Sequence, residues 1–186
     1  ANITKPSNWH DFPFPFIYGQ SDPALFPIHE WRDCTRQAVS RKLVESWTDD
    51  SVNKDDPQFV DQIRQRILPR RGINASPDEI LVTMGAQNAL YILASLLCGK
   101  GNRVGLEDPC YPDARNIFNL HAGEVIPLPI DAQGVVPGPA LKSCDIVYLT
   151  PSHQMPTNAT LSPARRREVL DWAQANGALI IEDDYE

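Results

Sequence analysis

From residue 76 onward the chain alternates short apolar runs, rich in β-branched residues, with stretches of helical period. Runs at 80–84, 103–107, 124–130, 146–150 and 178–183 read as strands, and stretches at 87–97, 111–121 and 163–176 read as helices. Several of the strand runs are apolar on both faces, as strands between two helix layers must be. This alternation predicts an α/β domain with a mainly parallel sheet flanked by helices. Local signals agree with it. Ser76-Pro77 and Ser162-Pro163 each put a side-chain acceptor ahead of proline at a helix start, and Asn176-Gly177 closes the last helix.

The opening segment, to about residue 28, has no period and is rich in proline and aromatics. It predicts an extended arm. Phe12, Phe14, Phe16, Tyr18 and Phe26 are costly to leave in water, so the arm is expected to pack on its own domain or on a partner subunit. Residues 30–47 read as one helix with Trp31, Cys34, Ala38 and Val39 on one side. After an Asp-rich loop, a second helix is expected over 57–68, carrying Phe59, Val60, Ile63 and Ile67. The expected organisation is an arm and first helix over 1–50, then an α/β domain over 51–186.

Composition narrows the function. Lys and Arg number 17 against 24 Asp and Glu in 186 residues, and the net charge of −7 makes the chain a poor holder of a polyanion. No apolar run nears the ~20 residues of a membrane span, and no signal peptide is visible in the opening residues. Cys34, Cys98, Cys110 and Cys144 form no C-x-x-C pair and read as free thiols of a cytoplasmic protein. The four histidines are equally dispersed, so no metal site is expected.

Ligands of such sheets sit beyond the carboxyl ends of the strands. Four loaded stretches fall there: Gly85-Ala86-Gln87, Asp108 to Tyr111, Pro151 to Gln154, and Asp183 to Tyr185. The first is small-residued and opens a helix, which suits phosphate as well as a plain tight turn. Neither G-x-G-x-x-G nor a G-x-x-x-x-G-K-[ST] loop is present. Tyr111 could stack on a planar ligand or pack against its helix start. Asp183 ends a buried run, where a carboxylate usually meets a cation, a metal or a protonated ring nitrogen; Asp184 and Glu186 also suit solvated loop acids.

The order GAQNAL, DPCYPDARNIF, TPSHQMPTN and IIEDDYE resembles the class I/II aminotransferases of fold type I, which bind pyridoxal 5′-phosphate. The wording YGQSDPALFPIHEW, RRGI, PSHQ and EDDYE is most similar to the aminotransferase-like domain of MocR/GabR-type transcription regulators. The resemblance implies the N-terminal part of the large domain of that fold, incomplete at its C-terminus. It implies that Gly85, Ala86 and Gln87 hold the cofactor phosphate, that Tyr111 stacks on the ring, that Asp183 pairs with the ring nitrogen, and that Tyr185 bonds the ring hydroxyl.

Departures accompany the likeness. Where the family reads N-P-T-G, this chain reads Met155-Pro156-Thr157-Asn158, and a polar SVNKDDPQF replaces a tyrosine–glycine signature. The lysine forming the Schiff base follows later in the family, beyond Glu186, so no catalytic residue is expected within the 186 residues and no transaminase activity from them alone. The resemblance further implies a homodimer, a small amine or amino acid as effector, and DNA bound only through a separate N-terminal domain. A stand-alone aminotransferase acting on an amino acid and a 2-oxo acid is the alternative.

Overall fold

The computed structural model describes residues 6–17, 19 and 21–185, so Tyr18 and Glu186 lie outside the described residues. The chain divides into two compact units, one over residues 4–82 and the other over residues 83–186.

The second unit is an α/β domain with a mainly parallel sheet. Its five strands are β1 (Arg103–Asp108), β2 (Glu124–Asp131), β3 (Gly134–Val135), β4 (Ile146–Leu149) and β5 (Leu179–Glu182). They form one sheet in the order β3-β2-β1-β4-β5. β1 runs parallel to both β2 and β4, and β4 runs parallel to β5. Only the two-residue β3, antiparallel to β2, breaks the pattern. Alternate residues of β4 separate the two faces. Ile146 and Tyr148 join Phe118 and Leu90 in one core, while Val147 and Leu149 join Val169 and Trp172 in the other. The first core is closed by the helices Ala86–Leu97 and Pro112–His121, and the second by the helix Pro163–Asn176. The last helix matches its expected limits. Ser162 accepts from the Arg165 amide at its start, and Gly177 adopts a left-handed φ of 64° at its end.

Among its described residues the first unit holds three α-helices, numbered in chain order as α1 (Ile28–Ala38), α2 (Arg41–Thr48) and α3 (Pro57–Gln62). The helices of the second unit are then α4 (Ala86–Leu97), α5 (Pro112–His121), α6 (Pro139–Lys142) and α7 (Pro163–Asn176). The single helix expected over 30–47 is two, because Ser40 takes an extended φ, ψ of −65°, 147° and starts α2. The stretch expected as a helix over 57–68 is helical throughout, α3 passing without a break into a π turn at Ile63–Ile67 and a 3-10 turn at Leu68–Arg71. Among the described residues of the arm the phenylalanines are exposed, not covered. Phe12, Phe14, Phe16 and Phe26 are 49 to 93% exposed.

The strand expected at 80–84 is also absent. These residues pair with no strand of the described sheet, and the Val82 amide donates instead to Asp55 Oδ2 at 2.7 Å. Alternation there met no neighbouring ladder, and without one an apolar run stays extended but unpaired.

Candidate functional site

β1 leads through α5 to β2 on one side, whereas β4 lies on its other side and leads through α7 to β5. The chain therefore reverses its order between β1 and β4, and the loops after these strands border a crevice at their carboxyl ends. Leu106 stands beside Tyr148 and Leu149 beside Glu182 in register. Continuing those ladders brings Asp108, Thr150 and Asp183 to one level of three adjacent strands.

A buried carboxylate ties the crevice together from below. Glu107 is 1% exposed, and its Oε2 accepts from the Thr150 amide at 3.0 Å and the Thr150 hydroxyl at 2.7 Å. Burial pushes its carboxyl above the usual range, while the bonds from Thr150 and Gln154 pull the other way. Gln154, fully buried, donates to the carbonyls of Pro109 at 2.7 Å and Met155 at 2.8 Å, and accepts from the Thr157 amide and hydroxyl. The Pro151–Asn158 loop is thus stitched to the end of β1.

The Gly85-Ala86-Gln87 turn is the start of the twelve-residue α4. Gly85 has φ of 90°, and a Cβ there would meet nothing within 4 Å, so the demand for glycine is conformational. Asn88 Oδ1 accepts from the Met84 amide at 3.2 Å and pins the turn, and no side chain caps the helix. Its first N–H groups have no side-chain cap, and uncapped helix N–H groups attract anions.

Tyr111 is the residue ahead of Pro112 at the start of α5. Its hydroxyl donates to Asp113 Oδ2 at 2.9 Å and accepts from Gln87 Nε2 at 2.7 Å; Gln87 Nε2 also reaches Asp113 Oδ2 at 2.7 Å. The structure therefore brings Gln87 and Tyr111 together. Asp183 follows β5, with its amide on the Leu149 carbonyl at 2.9 Å. Its Oδ2 accepts from the buried Tyr148 hydroxyl at 2.6 Å. Burial, then the adjoining Asp183, hold the Tyr148 phenol far above its ordinary range, so it remains a proton donor. Tyr185 is about half exposed, and its hydroxyl donates to the His153 carbonyl at 2.8 Å.

The departures have distinct consequences. Asn158 sits at φ of 60°, a left-handed conformation that asparagine tolerates better than most residues, so it replaces glycine at little cost. Met155 contributes its amide to Thr150 Oγ1 at 3.3 Å and offers no polar side chain. Sequence reasoning missed Tyr148, Asp113, Glu107 and Thr150. Only Glu107, an acid directly after the apolar Val104-Gly105-Leu106 of β1, carried a signal that could have found it. Among the described residues no cluster of three His, Cys, Asp or Glu could hold a metal. No helix among the described residues is long and apolar enough to cross a membrane. A cavity of about 800 Å³ is lined by residues between Ser51 and Leu81 and contains none of these groups.

The chain is 45% identical to the HTH-type transcriptional regulator TauR of Rhodobacter capsulatus over 173 residues, 93% of this chain and 36% of that protein. It is 33% identical to the HTH-type pyridoxine biosynthesis transcriptional regulator PdxR of Corynebacterium glutamicum, over 100% of this chain and 40% of the other. It thus spans less than half the length of these relatives. Among solved structures, the kynurenine aminotransferase of Pyrococcus horikoshii in complex with PMP superposes with a TM-score of 0.72 at 25% identity. That likeness covers 89% of this chain and 43% of the other. Residues 17–185 match the profile of "Aminotransferase class I and II". With the parallel sheet and its loop order in agreement, the chain belongs to the class I and II aminotransferase family, whose cofactor is pyridoxal 5′-phosphate.

Proposed function

We propose that this chain is the first part of the pyridoxal 5′-phosphate-holding, effector-sensing domain of an HTH-type transcription regulator, responding to a small amine or amino acid. The observation that carries this reading is the 45% identity with a regulator across 93% of the chain.

The loops suit the cofactor part by part. The uncapped start of α4 at Gly85, Ala86 and Gln87 offers backbone N–H groups to a phosphate. Tyr111 supplies an aromatic face for a pyridine ring. Asp183 keeps Oδ1 available beyond its bond from Tyr148, and a carboxylate there would hold a proton on the ring nitrogen of a bound cofactor. The ring hydroxyl is served more sparingly. Met155 lacks a side-chain donor, and the Tyr185 hydroxyl donates to the His153 carbonyl. When bound, the cofactor supplies an aldehyde reactive toward amines and a ring that withdraws electrons from them. The protein's part is to hold phosphate, ring plane and ring nitrogen in register.

In this reading DNA is bound by a separate N-terminal domain, which accords with the net charge of −7 here. The regulator acts as a homodimer in the cytoplasm. A second reading, a turnover aminotransferase, draws on the TM-score of 0.72 with a solved aminotransferase. The full-length protein separates them. Pyridoxal 5′-phosphate is added, and visible absorbance is followed while amino acids and simple amines are screened. Binding to DNA from upstream of its own gene and turnover with 2-oxo acids are measured alongside. A sensor changes absorbance and DNA affinity with one amine and shows no oxo-acid-dependent turnover. Turnover without DNA binding decides for the enzyme.

A further inference from the structure

We infer that Asp113 is a positioning residue of the cofactor site, fixing the plane of the Tyr111 ring and drawing the Gln87 side chain aside. The inference rests on the reading of the site given above and deepens it. A single oxygen, Asp113 Oδ2, receives both the Tyr111 hydroxyl at 2.9 Å and Gln87 Nε2 at 2.7 Å. The third side, Gln87 Nε2 to the Tyr111 hydroxyl at 2.7 Å, closes the triangle. Tyr111 is thereby held at both ends. Its backbone is fixed by Pro112 at the start of α5, and its hydroxyl both donates and accepts. A ring anchored at base and tip has its plane set before any ligand arrives, which lowers the ordering cost of stacking.

Gln87 is the second helical residue of α4, where a side chain can turn back toward the helix start. With its amide directed to Tyr111 and Asp113, the phosphate is left to the backbone N–H groups. A plain helix-stabilising role for Asp113, an acid in the first turn of α5, predicts no partners outside that helix. The observed partner lies 26 positions earlier, at the start of another helix.

Asparagine can accept both bonds through its one amide oxygen and so preserves the triangle, whereas alanine removes it. The full-length protein, with pyridoxal 5′-phosphate as the probe, is read by the cofactor's induced circular dichroism and by its dissociation constant. Asp113→Ala is expected to reduce the dichroism per bound cofactor by about half and to weaken binding by about tenfold, the scale of one lost charge-assisted bond. Asp113→Asn is expected to retain the parent's dichroism and to bind at least as tightly. If Asp113→Ala changes only the melting temperature, or nothing, the positioning role is overturned and the site reading stands. If the parent binds no pyridoxal 5′-phosphate, the site reading itself falls and takes this inference with it.

Discussion

Asp183 and Tyr148 are 35 positions apart in sequence and 2.6 Å apart in space. Tyr148 is fully buried, and its phenol stays protonated because burial and the neighbouring carboxylate both oppose ionisation. Tyr148→Phe keeps the ring and deletes the bond. It is expected to cost about 1–2 kcal/mol, the lower part of the range for bonds to charged groups because Asp183 is partly exposed. An unchanged denaturation midpoint would show that the bond contributes nothing. Glu107 makes the opposite case, since burial raises its carboxyl above the ordinary value. The charged form is then the disfavoured one in the folded state. Stability from this group is complete below the ordinary carboxylate range and is lost as pH climbs through the raised value. Glu107→Gln can still accept from Thr150 and cannot ionise, so its stability should gain on the parent's as pH rises through that window. Denaturant melts across a pH series would test it, and parallel curves for the two proteins would sink the idea.

Elements whose ends carry their own chemistry were legible in the sequence. α7 begins at Ser162-Pro163 and ends at Gly177 as expected, and four strand runs lie within a residue or so of their observed limits. Elements that depend on distant partners were not. The run at 80–84 has strand composition but no adjoining ladder, and β3 is too short for any pattern to register. The candidate site divides the same way. Gly85, Tyr111 and Asp183 stand at element ends and could be singled out, while Asp113 and Tyr148 owe their interest to side chains met only on folding. Packing links the two. Phe118 of α5 is fully buried against the Tyr148 ring, with centroids 5.6 Å apart. Phe118→Ala should cost about 3–5 kcal/mol through the cavity it leaves, and should loosen Tyr148 and with it Asp183. A loss below 1 kcal/mol in chemical denaturation, by the same principle, would mean that α5 collapses into the gap and that the layer is softer than its burial suggests.

At the scale of the molecule the two units differ in how their apolar residues are used. Residues 83–186 bury two clusters on the faces of a five-stranded sheet. Among the described residues of 4–82, Val60 alone is buried, while Trp31, Trp47 and Phe59 are each more than half exposed. Order in that unit rests on local bonds. Trp47 Nε1 donates to the Ala38 carbonyl at 3.0 Å, Asp56 accepts from the Phe59 amide at 2.7 Å, and Ser76 and Glu79 form a capping box. Such bonds contribute little where water competes for both partners, and helices as short as α1 and α2 are marginal without tertiary burial. Amide hydrogen exchange on the 186-residue chain should therefore be graded by unit. The slowest amides are expected in the inner strands, at 104–106 of β1 and 146–148 of β4, which open only with the sheet. Amides of α1 and α2 should exchange close to the rate of an unstructured chain, because α1 and α2 contain no buried residue. Equal protection across α1, α2 and β1 would contradict this gradient, and would require apolar cover for Trp31 and Trp47 from a second copy of the chain.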